Sequence, residues 1–166
     1  MDALREPIPR RRVLRIIGGG VLATGAGALV AACGSATEAT PGAAVWVPVS
    51  VDLNAVPAGT PTAVALSVPA EGSRPAVNVN TWLVKQDDGS VVVYDPRCTH
   101  QACAYAWTPG QDRFDCFCHQ AAFSKDGAVL FGPPPSPLRR FPTRASASGG
   151  LEVEVPGDFT APKEKT

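Results

Sequence analysis

Four of the five cysteines and both histidines of this 166-residue chain fall between Cys98 and His119. They form two boxes, Cys98-Thr99-His100-Gln101-Ala102-Cys103 and Cys116-Phe117-Cys118-His119, with fifteen residues between His100 and Cys116. Each box offers a thiol and an imidazole at short spacing, plus one further cysteine. Whatever fold the chain adopts has to bring these two short segments together. Two thiolates and two imidazoles satisfy a tetrahedral zinc ion. They equally satisfy a [2Fe–2S] cluster with cysteines on one iron and histidines on the other. A metal-free disulfide set is a third solution open to an exported protein, although it leaves the placement of the only two histidines unexplained.

The rest of the chain predicts an all-β scaffold of antiparallel strands. It holds 17 Pro and 16 Gly with only 18% charged residues, a profile that suits a loop-rich β domain better than a helical one. Short runs bounded by turn residues read as strands at 45–51, 63–68, 77–85, 90–94, 128–131 and 151–155. Asp87-Asp88-Gly89 is a hairpin signal between the third and fourth of these. Together they predict one domain over 45–156, followed by a loose C-terminal tail, 157–166. A domain this small gains stability from a cross-link or a metal. Trp46, Trp82 and Trp107 read as packing residues, and Arg139, Arg140 and Arg144 as solvated ones.

Residues 1–32 read as an export signal rather than as part of the fold. Arg10, Arg11, Arg12 and Arg15 form a basic head, and the uncharged run from Ile16 to Ala32 is rich in Gly and Ala. The run is short for a membrane span, which needs about 20 apolar residues. The adjacent arginines resemble a twin-arginine signal. Val30-Ala31-Ala32-Cys33 resembles a bacterial lipobox, which makes Cys33 the candidate lipidation site and accounts for the fifth cysteine. The alternative is an uncleaved membrane anchor. Residues 33–44 are small and polar and read as a flexible tether. Five of the 15 basic residues but only two of the 15 acidic ones lie in 1–32, so the remainder is mildly acidic. With no basic patch to neutralise phosphates, nucleic acid is excluded as a partner class.

The two boxes resemble the C-T-H-x-x-C and C-x-C-H boxes of Rieske proteins of the cytochrome bc and b6f type. Gly132-Pro133-Pro134-Pro135-Ser136-Pro137-Leu138 is similar to the proline loop of that family. The resemblance spans about the last two-thirds of the chain. It implies an antiparallel β domain with a small cluster-binding subdomain, from about Tyr94 to Pro137. It implies a [2Fe–2S] cluster held by Cys98 and Cys116 on one iron and by His100 and His119 on the other. It also implies a Cys103–Cys118 disulfide joining the two loops, which an oxidising compartment permits. The expected function is one-electron transfer outside the cytoplasmic membrane, with a cytochrome or an oxidoreductase subunit as partner. The rival expectation is a Rieske subunit of a quinol-oxidising bc-type complex, with cytochrome b and quinol as partners. No nucleophile–base pair suggests independent catalysis.

Departures from the family pattern carry their own expectations. High-potential members follow the second-box histidine with Gly-Ser and then, two residues on, Tyr; their hydroxyls donate toward the cluster and its cysteine sulfur. Here Ala121 and Phe123 stand at those positions, and neither side chain can donate. A potential in the low-to-moderate part of the family range, about −150 to +300 mV, follows. Gln101-Ala102 stands where bc-complex members have Leu-Gly, and Phe117 where they have Pro. Phe117 and Phe123 otherwise read as packing around the cluster.

Overall fold

The computed structural model describes residues 42–164. The export signal, Cys33 and the tether as far as Pro41 lie outside the described residues. Among the described residues no helix is long and apolar enough to cross a membrane.

Among the described residues, eleven strands form three antiparallel sheets. The first contains β1 (Val45–Val49), β11 (Leu151–Val155) and β10 (Thr143–Ala145), in that order. The second runs β2 (Thr62–Val68), β3 (Val77–Lys85), β4 (Val91–Tyr94) and β9 (Arg140–Phe141). The third runs β5 (Ala106–Thr108), β6 (Arg113–Cys116), β7 (Ala121–Ser124) and β8 (Val129–Phe131). All six strands predicted from sequence are present, with ends shifted by no more than two residues. Five strands went unpredicted, namely β5, β6, β7, β9 and β10, and three of them build the third sheet.

Period-two alternation explains the base core. In β2 and β11 every second residue is buried: Val64, Leu66 and Val68, and Leu151, Val153 and Val155. These pack with Val47, Val49, Leu83, Val93 and Phe141 between the first two sheets. Each large apolar side chain so buried contributes about 1.5–3 kcal/mol.

The inner strands β3 and β4 do not alternate, because both their faces are covered. Leu83 and Val93, paired across the ladder, face the base core. Their chain neighbours Val84 and Tyr94 point the other way, into a second core with Tyr105, Phe114, Phe123 and Leu138. A strand buried on both faces reads as a continuous apolar run, as Trp82-Leu83-Val84 does. The third sheet is thereby stacked on the back of the second. Phe114 is its hub, with Trp82, Tyr94, Tyr105 and Trp107 all meeting its ring at centroid distances of 5.0–5.8 Å. Trp82 and Trp107 are thus packing residues, as expected.

Two expectations need correction. The segment 157–164, expected to be part of a loose tail, is not loose. Phe159 is fully buried in the base core, 5.9 Å from Phe141, and Lys163 pairs with Cys103. Its single aromatic residue carries no periodicity that would have marked it. Arg139, Arg140 and Arg144 are not merely solvated. Arg139 pairs with Asp95 and Arg144 with Glu152, while Arg140 donates to the Asp126 carbonyl. Arg144 also lies over Trp46, 4.0 Å from the ring centroid.

Candidate metal centre

The two boxes occupy loops of the same design. The second is the hairpin loop between β6 and β7: Cys116 pairs with Ala121, and the four residues between them make the turn. The first is a loop closed by the Cys98 N–H donating to the Cys103 carbonyl at 2.8 Å, with Arg97 bridged to Ala104 outside it. In each loop the residue four positions after the first cysteine adopts left-handed backbone, Ala102 at φ 60° and Gln120 at φ 49°. A disulfide between Cys103 and Cys118 joins the loops, with Cα atoms 6.5 Å apart.

A third loop touches both boxes. The Thr99 hydroxyl donates to the Ser136 carbonyl at 2.7 Å. Gly132, at φ 98°, lies so close to the second box that a Cβ on it would stand 2.6 Å from the Ala121 Cα. Glycine is needed there twice over, for conformation and for approach. The proline stretch thus clamps both loops, in addition to the disulfide's covalent tie.

Within this frame the remaining ligand-type side chains fall into two pairs. Cys98 and Cys116 are free thiols, both buried, and the Cys98 thiol lies near enough to perturb that of Cys116. Burial, and then the Cys98 thiol beside it, push the Cys116 thiol up to about 11, while the backbone around Cys118 and His119 pulls the other way. A thiol so placed stays protonated near neutrality unless a cation takes the proton's place. His100 and His119 meet edge to face, 4.7 Å between centroids at 82°. His119 is exposed, and the Nδ1 of His100 is buried without a hydrogen-bond partner. An orphaned buried nitrogen is costly unless something binds it.

The arrangement discriminates between the metals left open by sequence. Among the described residues, no three His, Cys, Asp or Glu side chains converge as a site for a single ion. A mononuclear zinc site needs four donors on one point. A sulfur pair and a nitrogen pair suit a two-iron centre, in which each iron takes two protein donors. The residues present therefore fit a [2Fe–2S] cluster.

Comparison with known proteins decides the family. The model for the Rieske [2Fe-2S] domain matches residues 47–142, more than half of the chain. The chain belongs to the Rieske [2Fe–2S] domain family. Its cofactor is a [2Fe–2S] cluster. Relatives include cytochrome b6-f complex iron-sulfur subunit 3 of Nostoc sp. PCC 7120, 34% identical over 61 residues covering 36% of this chain and 34% of that protein. The menaquinol:cytochrome c reductase iron-sulfur subunit of Geobacillus thermodenitrificans is 32% identical over 66 residues, 37% of this chain and 39% of that one. The chain thus spans between a third and two-fifths of the length of these relatives. Among solved structures, the plasma membrane Rieske protein PetC3 of Synechocystis PCC 6803 is 26% identical, with 67% of this chain and 99% of that one covered and a TM-score of 0.46.

Several neighbours of this Rieske centre escaped sequence reasoning. Asp95 is buried and accepts from Arg97 three times, main-chain N–H to Oδ1 at 3.0 Å, Nε to Oδ1 at 2.9 Å and Nη2 to Oδ2 at 2.8 Å, with Arg139 Nε at 3.3 Å. Its backbone carbonyl accepts from the Tyr105 hydroxyl at 2.8 Å. This knot sits immediately before Cys98 and fixes where the first loop departs. Asp115, just before Cys116, is held likewise by Arg113 at 2.8 Å and the Thr108 hydroxyl at 2.7 Å. An Asp within three residues of a box cysteine was the available sign in both cases. Phe123 is fully buried in the cluster-side core, as expected, whereas Phe117 is 57% exposed and packs no core.

Proposed function

We propose that Cys98 and Cys116 hold one iron through thiolate sulfur, that His100 and His119 hold the other through imidazole nitrogen, and that the chain works as an electron carrier tethered outside the cytoplasmic membrane. The observation that carries the ligand assignment is the pairing itself: two buried free thiols near enough for one to perturb the other, and two imidazoles in contact at the edge of the same loops. The cluster supplies one-electron oxidation and reduction. The protein's residues do the rest. The buried thiols keep water from the sulfur side, and the exposed His119 edge lets a partner approach. The Cys103–Cys118 bond and the proline loop limit how far the two loops can part.

The domain proper, expected over 45–156, is assigned to 45–164, since Phe159 and Lys163 pack onto it, with 1–32 as export signal and 33–44 as tether. Lipidation of Cys33 would anchor it, and the disulfide fits an oxidising compartment. Ala121 and Phe123 provide no hydroxyl beside the cluster, which supports a low-to-moderate potential. A second reading, a subunit of a quinol-oxidising complex with cytochrome b as partner, is favoured by the names of the relatives. Gln101, exposed beside His100, speaks for the first: it puts a polar group on the surface where bc-complex members carry Leu.

Iron and sulfide analysis of the purified protein, followed by potentiometric titration, tests the centre. Two irons and two sulfides per chain are expected, and a colourless zinc protein would overturn the reading. Recovery of a cytochrome b with the protein from gently solubilised membranes would favour the second reading. Release of Cys33→Ala into the soluble fraction is the result expected from lipid anchoring.

A further inference from the structure

The first cluster loop asks an alanine to do what glycine does without cost. Ala102 stands at φ 60°, a left-handed conformation that its Cβ disfavours. Within the loop, the Ala102 N–H donates to the Cys98 carbonyl at 2.9 Å. Its carbonyl is engaged by a distant part of the chain: the Lys163 N–H donates to it at 2.8 Å. Two residues along from Ala102, the Ala104 N–H donates to the Lys163 carbonyl at 2.9 Å. The C-terminal segment is thus laid parallel to the chain at Cys103, bonded on both sides of it.

This strap is fixed at its other end. Phe159 is fully buried in the base core, and the Arg97 guanidinium lies 4.6 Å from its ring centroid. Arg97 is the residue before Cys98, is clamped by Asp95, and is bridged to Ala104. Phe159 and Lys163 therefore hold the two flanks of the same loop. The Cys103–Cys118 disulfide fixes a side chain but sets no torsion at Ala102. Lys163 itself is exposed, so its contribution runs through the main chain.

We propose that the C-terminal strap, from Phe159 to Lys163, is a positioning element for the first cluster loop: its main-chain bonds to Ala102 and Ala104 hold Ala102 in the left-handed turn that presents Cys98 and His100. This rests on Cys98 and His100 as ligands. Strap and turn are then energetically coupled, and the coupling disappears when residue 102 is a glycine.

The test uses the full cluster-loaded chain. Lys163→Pro removes the N–H given to Ala102 and keeps the carbonyl that Ala104 uses, while Lys163→Ala keeps both. Each is made with Ala102 and in an Ala102→Gly background. The readouts are the electron paramagnetic resonance line shape, iron release to a chelator, and hydrogen exchange at the Ala104 amide. With Ala102, Lys163→Pro is expected to shift the line shape and to speed iron release and amide exchange about tenfold, the weight of one to two net hydrogen bonds. In the Ala102→Gly background the same change has an effect under about threefold, because the turn no longer needs holding. Lys163→Ala matches its parent in both. Equal effects in both backgrounds, or none with Ala102, overturn the proposal. A Lys163→Pro chain that folds only when combined with Ala102→Gly supports it, and one that folds in neither background overturns it. A parent protein without iron defeats the ligand assignment instead, and the amide exchange then still decides whether the strap holds the turn.

Discussion

Gly132 of the proline loop packs directly on Ala121 of the second box, leaving no room for a side chain: a Cβ would lie 2.6 Å from the Ala121 Cα and 3.0 Å from the Gln120 carbonyl oxygen. With φ at 98°, Gly132→Ala combines a backbone penalty with a clash against main chain. It is expected to cost about 2 kcal/mol or more in denaturant unfolding and to speed cluster loss. Gly89→Ala is the control. That glycine has a similar φ of 82° with nothing within 4 Å, so it should cost about 1 kcal/mol and leave the cluster's retention unchanged. Equal effects at the two sites would mean that the close approach is not holding the loops.

The Asp95–Arg97 pair predicts a larger effect from a smaller change. Asp95 is almost wholly buried and Arg97 mostly so. Removing the guanidinium in Arg97→Leu leaves the buried carboxylate with the main-chain N–H of residue 97 at 3.0 Å and the longer Arg139 contact, and strips the cation from above Phe159. A loss of about 3–5 kcal/mol is expected in chemical denaturation. The double replacement Asp95→Asn with Arg97→Leu should recover part of it, since no charge is then stranded. If the double variant is as unstable as the sum of the singles, the pair is not acting as a unit.

The potential offers a separate handle. Ala121 is buried and paired with Cys116, and Phe123 is fully buried in the core beside the cluster loops. Ala121→Ser and Phe123→Tyr would each introduce a hydroxyl donor. A hydrogen bond to a charged acceptor is worth about 1.5–3 kcal/mol, and for a one-electron couple about 59 mV is tenfold. The potential is expected to rise by on the order of 100 mV for each new donor. An unchanged or lower potential in the double variant would remove the reason for placing this protein low in its family range.

Removing the cluster while leaving the disulfide intact makes a pH prediction. The Cys116 thiol is raised to about 11 from the 9.0 of an ordinary thiol, by burial first and the Cys98 thiol next. A raised pKa in the folded state stabilises the cluster-free fold below about pH 9, and that contribution is lost as pH climbs through about 11. Alkylation by iodoacetamide at about pH 8 should therefore be slow in the folded cluster-free protein and fast after denaturation. Fast alkylation of the folded form would mean that the thiols are not sequestered.

Much of the site was legible in the sequence because its chemistry is local. Cysteines and histidines at fixed spacing announce loops, and the third loop, in contact with both, announces itself by its prolines. The strands with one buried face, β2 and β11, were equally plain, since alternation marks them. The third sheet was not. Of its strands only β8 was read; β5, β6 and β7 are three or four residues long, and Arg113-Phe114-Asp115-Cys116 carries charges whose pairing with each other and with Thr108 exists only once the hairpin has formed. The strap was invisible for a related reason: its bonds are main chain to main chain, and only Phe159 leaves a trace in the sequence.

The central claim is that sulfur and nitrogen pairs share one two-iron centre. Pulsed electron paramagnetic resonance of the dithionite-reduced protein reads it most directly. Hyperfine coupling to two imidazole nitrogens is predicted, with one lost in a His119→Cys variant that keeps its iron. A reduced cluster with no nitrogen coupling, or a coupling unaltered by that replacement, would contradict the account.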